Sequence, residues 1–86
     1  MEMMGNMLFT LKRWVMENYY IVDVNPRGEE SYDFLVCSNE NLTKQQVIER
    51  CKDKRMFYEN RDARFADVDL RPSNSDIAKY KGYTII

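Results

Sequence analysis

Two alternating apolar runs flank one strong turn signal, and this arrangement restricts the fold more than any other feature of the chain. Residues 19–24, Tyr-Tyr-Ile-Val-Asp-Val, put Tyr20, Val22 and Val24 on one side of a strand and Tyr19, Ile21 and Asp23 on the other. Residues 31–38 alternate likewise, Tyr32, Phe34 and Val36 against Asp33, Leu35 and Cys37. Between the runs lies Asn25-Pro26-Arg27-Gly28. Asn suits the first turn position, Pro pre-sets φ at the second, and Gly accepts the left-handed conformation that closes a bulged hairpin. An antiparallel hairpin is therefore the predicted centre of the fold.

The flanking segments read as helices and further strands. Residues 6–17 have helical spacing: Met4, Met7, Leu8, Leu11, Trp14 and Val15 share a face, with Asn6 at the N-cap. Phe9 and Met16 fall off that face and lie seven apart, with Arg13 between them. Thr43-Lys44-Gln45-Gln46 has the form of a capping box. It opens a helix through about Arg55, with Val47, Ile48 and Cys51 as its core stripe. Met56 and Phe57 leave that stripe, so the helix ends near Arg55 or exposes both. Residues 59–64 are charged and turn-like, and Phe65 to Leu70 read as a third strand. Ser75 is placed to cap a short turn over residues 76–81, which Gly82 ends, before a terminal strand Tyr83-Thr84-Ile85-Ile86.

The order α-β-β-α-β-(short α)-β predicts an α+β fold. Its expected form is a two-layer sandwich, an antiparallel hairpin-based sheet with helices on one face. Eighty-six residues make one domain, 1–86. Met16 is a plausible alternative start, so residues 1–15 are either part of that domain or an N-terminal helical extension.

Composition narrows the chemistry. The chain has no histidine, which removes the usual general base and the commonest zinc ligand. Three glycines cannot build a phosphate-cradling loop. Cys37 and Cys51 are too few for a zinc site or a disulfide scaffold. They read as buried thiols in a reducing cytoplasm, with a bridge between them as the alternative. No apolar run of about 18 residues is present and no secretory signal opens the chain, so a cytoplasmic location without membrane contact is expected. Asn41-Leu42-Thr43 matches the glycosylation sequon by chance. Asp67 and Asp69, with Asp62 and Asp76 beside them, present carboxylates to a cation, but alternating Asp on a strand reads better as a solvent face. No metal, cofactor or catalytic residue is expected.

Charge is segregated along the chain. Thirteen basic and fourteen acidic residues leave a net −1. Residues 17–43 nevertheless carry one basic and six acidic residues, whereas residues 44–64 carry seven and four. Three surfaces follow. Phe9, Arg13 and Met16 combine the residue types found at interface centres, and Asp23, Glu29, Glu30 and Asp33 would steer a basic protein partner, such as a nucleic-acid-binding protein. The alternative for those acids is an edge that prevents aggregation. Lys44, Lys52, Arg55, Arg61 and Arg64 form the second surface, for nucleic acid, although Glu49 and Asp53 interrupt it. The apolar terminal strand is the third, for a homodimer.

In general style the chain resembles small proteins encoded by phages and other mobile elements. The resemblance rests on the short first helix, the Pro26-Arg27-Gly28 hairpin, the helix opening at Thr43-Lys44-Gln45-Gln46-Val47-Ile48 and the strand at Phe65-Ala66-Asp67-Val68-Asp69-Leu70. It covers architecture only and transfers no functional residue. It implies a non-catalytic protein-binding module that blocks a host protein, a group that includes anti-CRISPR and other anti-defence inhibitors.

Overall fold

The computed structural model describes residues 17–86. The helix expected over residues 6–17, with Phe9, Arg13 and Met16, lies outside the described residues except for Glu17, which has no regular structure. The rest is α+β. Strands β1 (Asn18–Val24) and β2 (Tyr32–Ser38) are followed by helix α1 (Lys44–Asp53), a 3-10 helix (Asn60–Phe65), β3 (Ala66–Asp69), the four-residue helix α2 (Asn74–Ile77) and β4 (Thr84–Ile85). The four strands form one sheet in the order β3-β1-β2-β4.

The hairpin forms, and its alternation is the predicted one. β1 pairs antiparallel with β2 from Asn18↔Ser38 to Val24↔Tyr32, and with β3 from Ile21↔Asp69 to Val24↔Ala66. Tyr20, Val22, Val24, Val36 and Val68 on one face are each at most 2% exposed. The turn differs from the prediction by one residue. Glu29 N–H donates to Pro26 O at 3.5 Å, so Gly28 takes the third turn position, with φ 72°. Ser31 Oγ donates to Asn25 Oδ1 at 2.7 Å and closes the base of the loop.

Helix α1 covers this first face with Val47 and Cys51, which are fully buried. The capping box at Thr43 is complete: its Oγ1 accepts from Gln46 N–H, and Gln46 Oε1 accepts from Thr43 N–H. The helix ends at once after Lys54. Arg55 adopts φ 56°, its N–H donates to Lys52 O, and Met56 N–H donates to Cys51 O. These are the two bonds of a Schellman motif, with Arg where Gly is usual. The turn redirects the chain so that Phe57, which would have left the core stripe on a longer helix, is buried at 5% exposure. Tyr20 ties the connector to the sheet: its hydroxyl donates to Glu40 O at 3.0 Å and accepts from Leu42 N–H at 2.9 Å.

Three expectations are corrected. The sheet is mixed, because β4 pairs parallel to β2 through Val36↔Thr84 and Cys37↔Ile85. Helices do not share one face: α1 lies on the Val22 side, whereas the residues from Asp76 to Tyr80 lie over Ile21, Asp23 and Asp33 on the other. The cap of α2 is Ser73, whose side chain accepts from Asp76 N–H, and the helix ends at Ile77. Ser73 is extended, with φ −71° and ψ 159°, the backbone an N-cap needs. Both thiols are free and buried. Cys51 belongs to the α1 side of the sheet and Cys37 faces the other, so no bridge joins them.

The left-handed Arg55 predicts a stabilising change. Arg55→Gly removes the Cβ clash of that conformation, worth about 0.5–1 kcal/mol after the extra flexibility of the unfolded chain is counted. The denaturant midpoint should rise with an unchanged slope.

Candidate functional site

Register brings acids together across the sheet. Asp23 is the cross-strand partner of both Asp33 and Asp67, so three carboxylates stand in a row on the second face. Asp69 lies two residues further along β3, opposite Ile21. With Asp76, Lys79 and Tyr80 from the segment above, Asp23, Asp33, Asp69 and Ile21 line a hollow of about 290 Å³. Tyr80 Oη donates to Asp33 Oδ1 at 2.9 Å. Lys44 Nζ reaches Asp67 at 3.1 Å and Lys79 Nζ reaches Asp76 at 3.3 Å.

The electrostatics follow from this crowding. Partial desolvation between two neighbouring strands, then the charges of Asp33, Asp67 and Asp69, push the Asp23 carboxyl up from its ordinary value. Asp67 moves the other way, because its bonds to Lys44 and to Val68 N–H favour the charged form. Desolvation and the Asp33 carboxylate push the Tyr80 phenol up to about 12. Like charges directly opposite one another oppose sheet formation, so this row is a cost to the fold.

The expected acidic set is thus split. Asp23 and Asp33 meet on the sheet face. Glu29 does not join them: it accepts from Arg61 at 2.8 Å. Glu30 is exposed in the turn. Asp67, Asp69 and Asp76 belong to the acidic face, whereas Asp62 lies elsewhere, 1% exposed, with Oδ2 accepting from Tyr32 Oη at 2.9 Å. No group among the described residues has the geometry to hold a metal ion.

The basic set is dispersed and largely paired. Lys44 is engaged by Asp67, Lys52 by Glu49 at 4.0 Å, and Arg61 by Glu29 and Glu59. Arg55 closes α1, and Arg64 lies over the Phe65 ring at 5.0 Å from its centroid. Lys44 and Arg55 sit at opposite ends of a ten-residue helix, about 15 Å apart along its axis. A continuous strip for phosphate tracking is absent among the described residues.

Two features escaped sequence reading. Tyr80 is 47 residues from Asp33, and its spacing predicts nothing about that bond. Asp62 sits in a charged stretch that reads as solvent-exposed, and its burial depends on Tyr32, 30 residues away. The thiols are chemically quiet: burial pushes Cys51 up to about 11 and raises Cys37 as well. No described helix is long and apolar enough to cross a membrane. No protein-family model matches the chain, and neither a curated protein nor a solved structure does.

The acidic row makes a signed prediction about pH. A carboxyl whose folded value is raised stabilises the fold below its unfolded value of about 3.9, and that contribution is lost as pH rises through the folded value. Asp33→Asn keeps an acceptor for Tyr80 and removes one charge facing Asp23. The variant should be more stable than the parent at pH 7 and lose that advantage below about pH 4. Carboxyl-detected NMR should show the Asp23 midpoint moving back toward its ordinary value.

Proposed function

We propose that this chain is a non-catalytic protein-binding module whose acidic sheet face receives a basic protein surface. The Asp33–Asp23–Asp67 row supports the reading most directly. A fold that tolerates three opposed carboxylates carries a repulsion that a cationic partner relieves, and the same field accelerates encounter with such a partner. The partner class is a protein with an exposed Lys- and Arg-rich patch, such as a nucleic-acid-binding protein. Covering that patch would inhibit it, in the manner of a phage-encoded anti-defence inhibitor acting in the cytoplasm.

Titration calorimetry of the full chain separates this from nucleic-acid binding. A Lys/Arg-rich peptide of about 20 residues should bind with an affinity that falls steeply with salt. Asp23→Asn combined with Asp33→Asn should abolish the heat. Duplex or single-stranded DNA should give none. DNA binding that Arg55→Ala and Arg64→Ala remove, with no response to the peptide, would reject the protein-partner reading.

A homodimer is a second reading, supported by the exposed terminal strand. Ile85 is 64% and Tyr83 45% exposed, and β4 covers Val36 and Cys37 alone of the seven residues of β2. Among the described residues no strand pairs with the rest of that edge of β2, which suits strand addition. Light scattering should give twice the monomer mass for the full chain and the monomer mass after truncation beyond Gly82. A monomer in both rejects it.

A further inference from the structure

A second hollow, sharing no residue with the acidic face, lies between the hairpin turn and the 3-10 helix. It is a cleft of about 510 Å³ lined by Pro26, Arg27 and Glu29 on one wall and Arg61, Asp62, Arg64 and Phe65 on the other. Its walls are pinned to each other. Asn25 N–H donates to Phe65 O at 3.2 Å, Arg61 bridges to Glu29 at 2.8 Å, and Tyr32 holds Asp62 from below. Tyr32 is itself held, since it accepts from Tyr58 N–H at 3.1 Å and stacks on the Tyr58 ring at 4.0 Å. The cleft is therefore preorganised.

Three arginines line the cleft, and carboxylates neutralise one of them, Arg61, through Glu29 and Glu59. Glu29 is spent on Arg61. Arg27 and Arg64 make no ion pair with any described residue, and they stand on opposite walls. Two such forks are suited to an anion with several oxygens, which guanidinium binds bidentately. Asp62 supplies an independent sign of a ligand. It lines the cleft at 1% exposure, and its Oδ1 has no hydrogen-bond partner. A buried carboxylate oxygen without a donor is rare in folded proteins. Pro26 and Phe65 add an apolar wall. The volume is that of a small-molecule site and exceeds the needs of a bare phosphate.

We propose that this cleft binds a nucleoside monophosphate, with the phosphate between Arg27 and Arg64 and a hydroxyl or amino group of the nucleoside donating to Asp62. The anion satisfies the unpaired cations, the donor satisfies the orphaned oxygen, and the ring system fills the space beside Phe65.

The test is an amide-detected NMR titration of the full chain with adenosine 5′-monophosphate, with inorganic phosphate and adenosine as separate arms. Saturable shifts should be confined to residues 25–29 and 60–66. The nucleotide should bind at least about tenfold more tightly than either arm, since each lost charged hydrogen bond is worth about that factor. Arg27→Gln, an exposed turn substitution that leaves the core intact, should weaken it by about tenfold, and Arg27→Gln with Arg64→Gln by more. Four outcomes would each overturn the proposal: no saturable shift at about 10 mM nucleotide, shifts outside the cleft, equal binding of inorganic phosphate, or an unchanged affinity in Arg27→Gln.

Discussion

The pairing of β1 with β2 is the constraint on which the rest of the structure is laid. Seven consecutive cross-strand partners run from Asn18↔Ser38 to Val24↔Tyr32. Because side chains alternate with a period of two, a slip by one residue would exchange the faces. It would expose Tyr20, Val22 and Val24 and turn Asp23 into the core. The correct register puts Val22 against Val68 on β3 and leaves a flat apolar surface for Val47 and Cys51 of α1. It also aims Tyr32 at Asp62 and thereby fixes the 3-10 helix. One pairing thus determines the core, the acidic face and one wall of the arginine cleft.

That dependence explains why the acidic row persists. Asp23 and Asp33 oppose each other because Tyr20, Val22, Val36 and Phe34 must share the other side. The hydrophobic pattern decides the register, and burial of those side chains outweighs repulsion between carboxylates at an open face. Local devices soften the repulsion. Tyr80 donates to Asp33, and Lys44 reaches from the start of α1 to Asp67. Asp23 has neither device, and its carboxyl is pushed up from its ordinary value. The second face is consequently apolar where it is covered, at Ile21, Leu35 and Cys37, and anionic beside that cover.

The legible parts of the fold were those written in short-range pattern. Alternation over residues 19–24 and 31–38, the Thr43 capping box and the stripe Val47–Cys51 all depend on neighbours within a few residues, and all are present. The parallel partner of β2 was not legible. Nothing in Tyr83-Thr84-Ile85-Ile86 distinguishes a parallel from an antiparallel edge, since both expose the same alternation, and the direction is set by the path of the chain after α2. The candidate site divides the same way. Asp23 facing Asp33 follows from a hairpin register. Asp67 joining them, Glu29 leaving them for Arg61 and Asp62 becoming buried all depend on contacts between distant segments. Arg27 reads in sequence as a turn residue only, and its place on a cleft wall is visible once Phe65 O is seen bonded to Asn25 N–H.

The charge segregation in the sequence therefore has a different meaning in three dimensions. The chain separates an acidic first half from a basic second half, which suggests one surface of each sign. Folding instead pairs the two halves across the molecule, Arg50 with Glu40 through two bonds of 3.0 and 3.2 Å and Arg61 with Glu29, and it pairs Lys44 with Asp67 inside the second half. Most of the basic excess is absorbed in these exposed pairs, each of which adds little stability. What they leave over is informative. Carboxylates are left on the sheet face, where the partner strand supplies more carboxylates instead of cations. Arg27 and Arg64 are left beside the hairpin turn, where Glu29 is bonded to Arg61 and Asp62 to Tyr32. Unpaired charge thus collects in two preformed hollows of opposite sign, and binding is the physical process that would neutralise each.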